Sequence, residues 1–230
     1  MGRPATPKLS VEKIATAALA LVDATGEFTI GQVAAALTVR PSSIYNHLAG
    51  KVEIIEAMRT QVFASHAAWV APGPDWAETL RELLRAYRDA FARHPRLIPL
   101  LTAHTVSSPD VVHLYDDFAT VLSDAGVPTD ELLDVITVLD SFVIGSALDI
   151  AAPDQVWDPT HARTPELVAA IDAAGQGRTR ADRAFELGLD LLLGSLTARF
   201  SPAEAGPRRP AEAGPRRDAR LSPASARHPA

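Results

Sequence analysis

The sequence predicts an all-α fold: a three-helix unit over residues 1–50, a larger helical body over 51–200 and an unstructured tail over 201–230. Three observations carry this expectation. Apolar side chains recur three and four positions apart along the chain as far as Phe200. Helix start signals, Ser, Thr or Asp, often with Pro beside them, precede these runs. No stretch alternates apolar and polar residues in the manner of a strand.

Composition narrows the class. No window approaches the roughly 18 uninterrupted apolar residues of a membrane span, and Met1 to Ser10 is polar, without the hydrophobic region of a secretory signal. MGRPAT fits a loose myristoylation pattern, but Arg3 and Pro4 argue against it. Zero cysteines exclude disulfides, thiolate metal sites and cysteine nucleophiles. A soluble protein of the reducing cytoplasm, with no membrane partner, is expected. The net charge of −6 is unevenly spread. Residues 1–51 carry five Lys/Arg against three Asp/Glu, and residues 59–200 carry eleven against twenty. A near-neutral head on an acidic body would meet a polyanion head first.

Ser10 is a good N-cap for a helix from Val11 to Ala24, with Ile14, Ala17, Ala18, Leu21 and Val22 on one stripe and Gly26 at its end. Thr29 and Gln32 form a capping-box pair opening a second, short helix through Leu37. After a break at Thr38, Val39 and Arg40, Pro41 takes the first position of a third helix, where a missing N–H costs nothing. Ile44 and Leu48 face the helix before, which leaves Ser42 and Asn46 opposite, flanked by Ser43 and Tyr45. Two short helices joined by a tight turn, the second with a small polar face and Arg40 at its entrance, describe a helix-turn-helix whose second helix reads DNA. Ser42, Ser43 and Asn46 are the base-edge candidates, because Asn can pair bidentately with adenine and Ser with either partner. Arg40 can reach guanine or phosphate, Thr29 at a helix N-terminus suits a phosphate, and Arg3 in the basic arm suits the minor groove.

Lys51 opens a helix expected to run to about Val70, the covalent route between head and body, stopped by Pro72, Gly73 and Pro74. Asp75 caps Trp76 to Arg93, and His94-Pro95 bends into a short helix to about His104. Ser108-Pro109-Asp110 starts a helix through Ser123, which Gly126 ends, and Val127-Pro128-Thr129 begins another to about Ile150. Ala151 to Arg163 reads as a loop. Thr164-Pro165-Glu166 opens a short helix, Gly175 and Gly177 break it, and Thr179 to Phe200 forms the last. The helices over 132–148 and 185–196 are apolar around most of their circumference, so each is expected to be buried on two sides. One side would meet its own chain and the other a second copy, with Leu139, Phe142, Val143, Phe185, Gly188, Leu189, Leu192 and Leu196 at the interface of a two-fold homodimer. Residues 202–209, PAEAGPRR, repeat at 210–217 in a tail too poor in large apolar side chains to fold.

Val39, Ile44-Tyr45, His47-Leu48, and Lys51 followed by Glu53, Ile54 and Ile55, with the helix before them, resemble the signature of TetR-type transcriptional regulators over about Leu9 to Met58. Two positions depart from the pattern: Thr38, where the family usually has glycine, and Asn46, often aromatic in the tetracycline repressors. LDSFVIG around Leu139 to Gly145 and FELGLDLLLGSL from Phe185 resemble tetracycline-repressor-like C-terminal domains more loosely. The resemblance implies that Tyr45, His47 and Lys51 anchor phosphates, that the body binds a small-molecule effector, and that the protein is a repressor on a palindromic operator in double-stranded DNA. His66, Trp69, Leu101, His104, Tyr115, Phe118, Phe142, Ser146 and Trp157 are the candidate effector contacts. The histidine spacing of a magnesium–tetracycline site is missing, since Leu101 stands where a second ligand after His94 is anticipated. No cofactor, metal or enzymatic activity is expected: His113, Asp116 and Asp117 have unspecific spacing, and no phosphate loop or nucleophile elbow is present. The alternative is a DNA-binding protein without a small-molecule ligand, architectural or governed by a partner protein.

Overall fold

The structure is a computed structural model that describes residues 9–64, 73 and 75–200. Among these residues ten α-helices and two short 3₁₀ turns are present and no strand. The helices are α1 (Val11–Thr25), α2 (Ile30–Ala36), α3 (Pro41–Tyr45), α4 (Lys51–Ala64), α5 (Trp76–Ala92), α6 (Ile98–Thr102), α7 (Pro109–Asp124), α8 (Leu132–Ile150), α9 (Pro165–Ala173) and α10 (Gly177–Phe200). No single helix among them is long and apolar enough to cross a membrane.

Local chemistry sets the helix ends. Ser10 Oγ accepts from the Lys13 N–H, and Gly26, at φ 85°, closes α1 by donating to the Val22 carbonyl. The capping box forms in full: Gln32 N–H donates to Thr29 Oγ1 and Thr29 N–H to Gln32 Oε1. Asp75 accepts from Ala77 and Glu78, and Thr164 from Leu167. Three boundaries differ from the periodicity. The segment after His94 is a 3₁₀ turn, Pro95–Leu97, followed by α6, and residues 129–131 form a turn before α8 starts at Leu132. Gly177 begins the last helix instead of breaking the chain before it.

The head is a close-packed unit. Ile14, Ala18, Val22, Phe28, Val33, Ala34 and Ile44 are buried against Ile54, Ile55 and Met58, so α4 belongs as much to the head's core as to the body. In the body, α5 lies between α7 and α8, and α10 covers α8 and α5. An ion-pair ladder runs up the α5–α10 seam: Arg81 with Asp190, Arg85 with Glu186 and Arg88 with Asp182. Gly188 permits the close approach of α8 and α10, because a Cβ there would fall 2.4 Å from the Phe142 ring. Phe142 in turn stacks on Phe185, centroids 5.3 Å apart and 8° from parallel.

Candidate functional site

The N-terminal head presents α3 outward from a firm backing. Ile44 is fully buried behind it, Val39 and Leu48 are partly buried, and Ser42 and Asn46 on the other side are exposed. Asn46 caps the short α3 instead of lying within it. Arg40, Tyr45, His47, Lys51 and Thr29 are also exposed, and Ser43 is half-buried. The Thr29 hydroxyl is engaged with Gln32. Lys51 Nζ lies over the buried Phe28 ring, 5.1 Å from its centroid, which holds the cation at the start of α4. Glu53 accepts from the Ala49 N–H and caps that helix. Arg3 lies outside the described residues.

Thr38 carries the one positive φ found at a non-glycine position among the described residues, 56°. The turn between α2 and α3 requires a left-handed residue there: Thr38 N–H bonds the Ala35 carbonyl while Val39 N–H returns to Ala34. A β-branched side chain in that conformation is strained.

Two sets of contacts tie the head to the body. Arg59 on α4 is buried, with 5% of its surface exposed. Its guanidinium donates to the carbonyls of Leu101 at 2.9 Å and His104 at 3.3 Å, at the end of α6, and to Glu56 Oε1 at 2.9 Å. Glu56 Oε2 accepts from the Ser107 and Ser108 N–H groups at the start of α7, and Thr60 bonds Ser108. On the other flank His94 Nδ1 meets Asp23 at 2.9 Å, and Arg96 donates to the carbonyls of Asp23 and Ala24, covering the negative end of α1.

Of the nine residues expected around one effector site, the seven that the structure describes do not converge. Leu101 and Phe118 are buried, and His104 and Tyr115 half-buried, near the α4–α7 contact. Phe142 packs between α8 and α10, and Ser146 is half-buried further along α8. Trp157 is half-exposed on the α8–α9 connection, 5.3 Å from the Arg180 guanidinium, and lines a separate cleft of about 390 Å³. His66 and Trp69 lie outside the described residues. Periodicity gives each helix a face but cannot say which faces meet, which is why a single cavity was expected.

The structure instead groups Tyr115 and Phe118 with Tyr87 and Asp140, which are not among the expected effector contacts. Tyr87 on α5 donates to Asp140 on α8, and the Tyr115 hydroxyl lies 3.5 Å from that of Tyr87. Phe63, Tyr87, Phe91 and Phe118 form a continuous ring cluster with neighbouring centroids 5.0 to 5.9 Å apart. Burial pushes the Asp140 carboxyl above its ordinary range, opposed by the Tyr87 hydrogen bond and the Arg59 charge. The Tyr87 and Tyr115 phenols are raised by burial and then by Asp140. Among the described residues no group of three or more His, Cys, Asp or Glu is arranged to hold a metal.

The residues expected at a dimer interface divide as well. Leu139, Val143, Phe185 and Leu189 are buried inside the chain, and Phe142 and Gly188 are in contact with each other. Leu192 and Leu196 line an open groove of about 360 Å³ with Val135 and Val138. The bare apolar positions are Leu133, Val138 and Leu148 on α8, and Leu187 and Leu191 on α10. Helices apolar all round gave no means of choosing between their two sides.

Known proteins share this architecture. The family of tetracyclin-repressor-like C-terminal domains matches residues 71–200. Tetracycline repressor protein class E of Escherichia coli is 27% identical over 207 residues, 87% of this chain and 96% of that one. The HTH-type transcriptional repressor DrrR1 of Streptomyces coeruleorubidus is 26% identical over 145 residues, 61% of this chain and 53% of its own length. The crystal structure of ActR from Streptomyces coelicolor in complex with actinorhodin has the same fold, with a TM-score of 0.67 at 22% identity, covering 85% of this chain and 99% of that one. The first two of these relatives are named as repressors, and ActR is named as a TetR family protein. With the body's family matched over more than half its length and a helix-turn-helix at its N-terminus, the chain belongs to the TetR family of transcriptional regulators.

Proposed function

We propose that the protein is a repressor that binds a palindromic operator as a homodimer and is released by a small-molecule effector seated in the body. The observation that carries this reading is the outward face of α3, where Ser42 and Asn46 stand in solvent in front of a fully buried Ile44. That head has few cations, so one copy makes few phosphate contacts, and two heads are needed for firm binding. Leu133, Val138, Leu187 and Leu191 offer apolar faces on α8 and α10 through which a second copy would supply the other head. Arg3, Arg40, Thr29, Tyr45, His47 and Lys51 hold the backbone in this scheme, and Ser42, Ser43 and Asn46 read bases.

Effector release has a physical route. A ligand in the body shifts operator affinity only by its differential affinity for the two states of the protein. Displacement of the α6–α7 connection pulls on Arg59 and Glu56, hence on α4, and so alters the separation of the two heads. The names of relatives support release by a ligand: one is a tetracycline repressor, and ActR has been crystallised with actinorhodin. The test is operator affinity at fixed salt, on a duplex selected from random sequence, with and without a candidate effector. Equal affinities for every ligand that binds the body would end the induction model.

A second reading is favoured by the close packing around Asp140. The space among Leu84, Tyr87, Tyr115, Phe118, Ile136, Leu139 and Asp140 is only about 10 Å³, room for about one water at most. A regulator without a small-molecule ligand, answering to a partner protein, would have such a filled body. Saturable ligand binding in the body rules this out.

A further inference from the structure

Asp140 is a carboxylate without an ion-pair partner among the described residues. It lies half-buried on α8 among Leu84, Ile136 and Leu139, and a Tyr87 hydrogen bond is its one recorded polar contact. No ion pair reaches it among the described residues, although Arg81, Arg85, Arg88 and Arg180 each hold an aspartate or glutamate elsewhere in the body. The nearest guanidinium with influence on it, Arg59, is committed to Glu56 and two main-chain carbonyls. An interior anion left this way is costly unless something pairs with it. Around it stand aromatic faces: Tyr87 and Phe118 with centroids 5.9 Å apart, and Tyr115 and Phe118 at 6.5 Å. Rings converging beside a carboxylate are the surroundings that attract an organic cation, which gains from ring quadrupoles and from the opposite charge together.

We propose that Asp140, Tyr87, Tyr115 and Phe118 form the binding site for an organic cation, so that the effector of this regulator carries a protonated or quaternary amine beside an apolar or aromatic body. This rests on the ligand-released reading above and specifies its ligand class. The amine replaces nothing the protein already uses, since the second carboxylate oxygen accepts no recorded hydrogen bond. Occupancy parts the Tyr115 and Phe118 rings of α7 from α5 and α8, opening the closed space between them. Because α7 begins at Ser108, where Glu56 and Thr60 of α4 are bound, that parting acts on the helix that carries the head.

The test uses the full chain and three benzyl probes, benzyltrimethylammonium, its neutral carbon isostere neopentylbenzene, and the smaller anion phenylacetate, each titrated calorimetrically. Benzyltrimethylammonium is expected to bind saturably and about tenfold or more tighter than either control. Asp140→Asn should weaken the cation by about tenfold and leave the neutral isostere unchanged. Tyr115→Leu should weaken the cation and Tyr115→Phe retain it, which separates ring contact from any role of the hydroxyl in folding; circular dichroism checks each variant. Absence of saturable cation binding, equal binding of the neutral isostere, or native-like cation affinity in Asp140→Asn overturns the inference and leaves release by another ligand class standing. Asp140-dependent cation binding supports it even where operator affinity is unchanged, a result that contradicts the effector reading instead.

Discussion

The Arg59 guanidinium of α4 donates to the main-chain carbonyl of Leu101 at 2.9 Å, 42 positions further along the chain. The contact joins the helix that backs the reading head to the end of α6. Glu56 continues the junction onto the first N–H groups of α7. With Asp23 and His94 paired at 2.9 Å on the other flank, polar contacts tie head and body on two sides. Ile54 and Ile55 of α4 are buried in one core with Ile44 of α3.

Replacing Arg59 by Met is expected to destabilise the protein by about 3 kcal/mol, because Glu56 is left without its charge partner and two carbonyls lose their donor. This corresponds to a fall in Tm of roughly 6–12 °C for a chain of this size. Thermal denaturation checks it. Glu56→Gln keeps hydrogen-bonding capacity and should cost distinctly less.

Thr38→Gly is expected to raise stability by about 1 kcal/mol, since glycine adopts φ 56° without the clash a β-branched residue suffers. The gain is offset in part by the greater freedom of glycine in the unfolded chain. A rise in Tm of a few degrees, measured at equal protein concentration, is the readout, and a fall would show that the threonine side chain has a role the turn geometry does not reveal.

Asp140 gives a pH dependence with a definite sign. Its folded-state pKa lies above the ordinary carboxyl value, so the ionised form is disfavoured in the fold, and the group stabilises least once pH has risen through that raised pKa. Asp140→Asn should therefore gain stability relative to the native protein at neutral pH, and the gap should narrow as pH falls through the raised pKa toward the ordinary carboxyl value. The charges and phenols facing it are Arg59 from α4, Tyr87 from α5 and Tyr115 from α7. Paired denaturation curves at pH 7 and pH 4 check the sign.

Within the head, Asn46→Ala is expected to relax base preference at one operator position by about 1–3 kcal/mol, whereas Lys51→Ala weakens all sequences alike and lowers the salt slope by about one. Fluorescence anisotropy on operator variants at two salt concentrations separates the two effects. Equal losses across all sequences for both variants would refute the face assignment.

Much of the fold was legible because its signals are local. Ser10, Thr29 with Gln32, Asp75 and Thr164 each act on N–H groups two or three residues away, so sequence alone located four helix starts. The exposed face of α3 was legible for the same reason: Pro41 fixes the first residue and Ile44 the inward side. Thr38 was visible as a residue standing where a glycine is usual. The interior site was not legible. Arg59 and Asp140 are single charges in apolar stripes, Arg59 between Ile55 and Phe63 and Asp140 four positions after Ile136. That placement, a charge on the buried face of a helix, was the available signal. Only the packing of α4, α5, α7 and α8 shows that the two charges share one region and that Trp157 and Phe142 lie elsewhere.

In the proposed complex two copies, joined through α8 and α10, place two α3 helices on successive turns of one duplex. Sedimentation equilibrium of the protein with a selected operator tests it most directly, and the native protein should give two subunits per duplex. Leu191→Arg, at a position 65% exposed in the single chain, should sediment as a single subunit and lose operator affinity while keeping its helical spectrum. A native complex of one subunit per duplex, or a Leu191→Arg protein that still pairs and binds as the native does, would contradict the account.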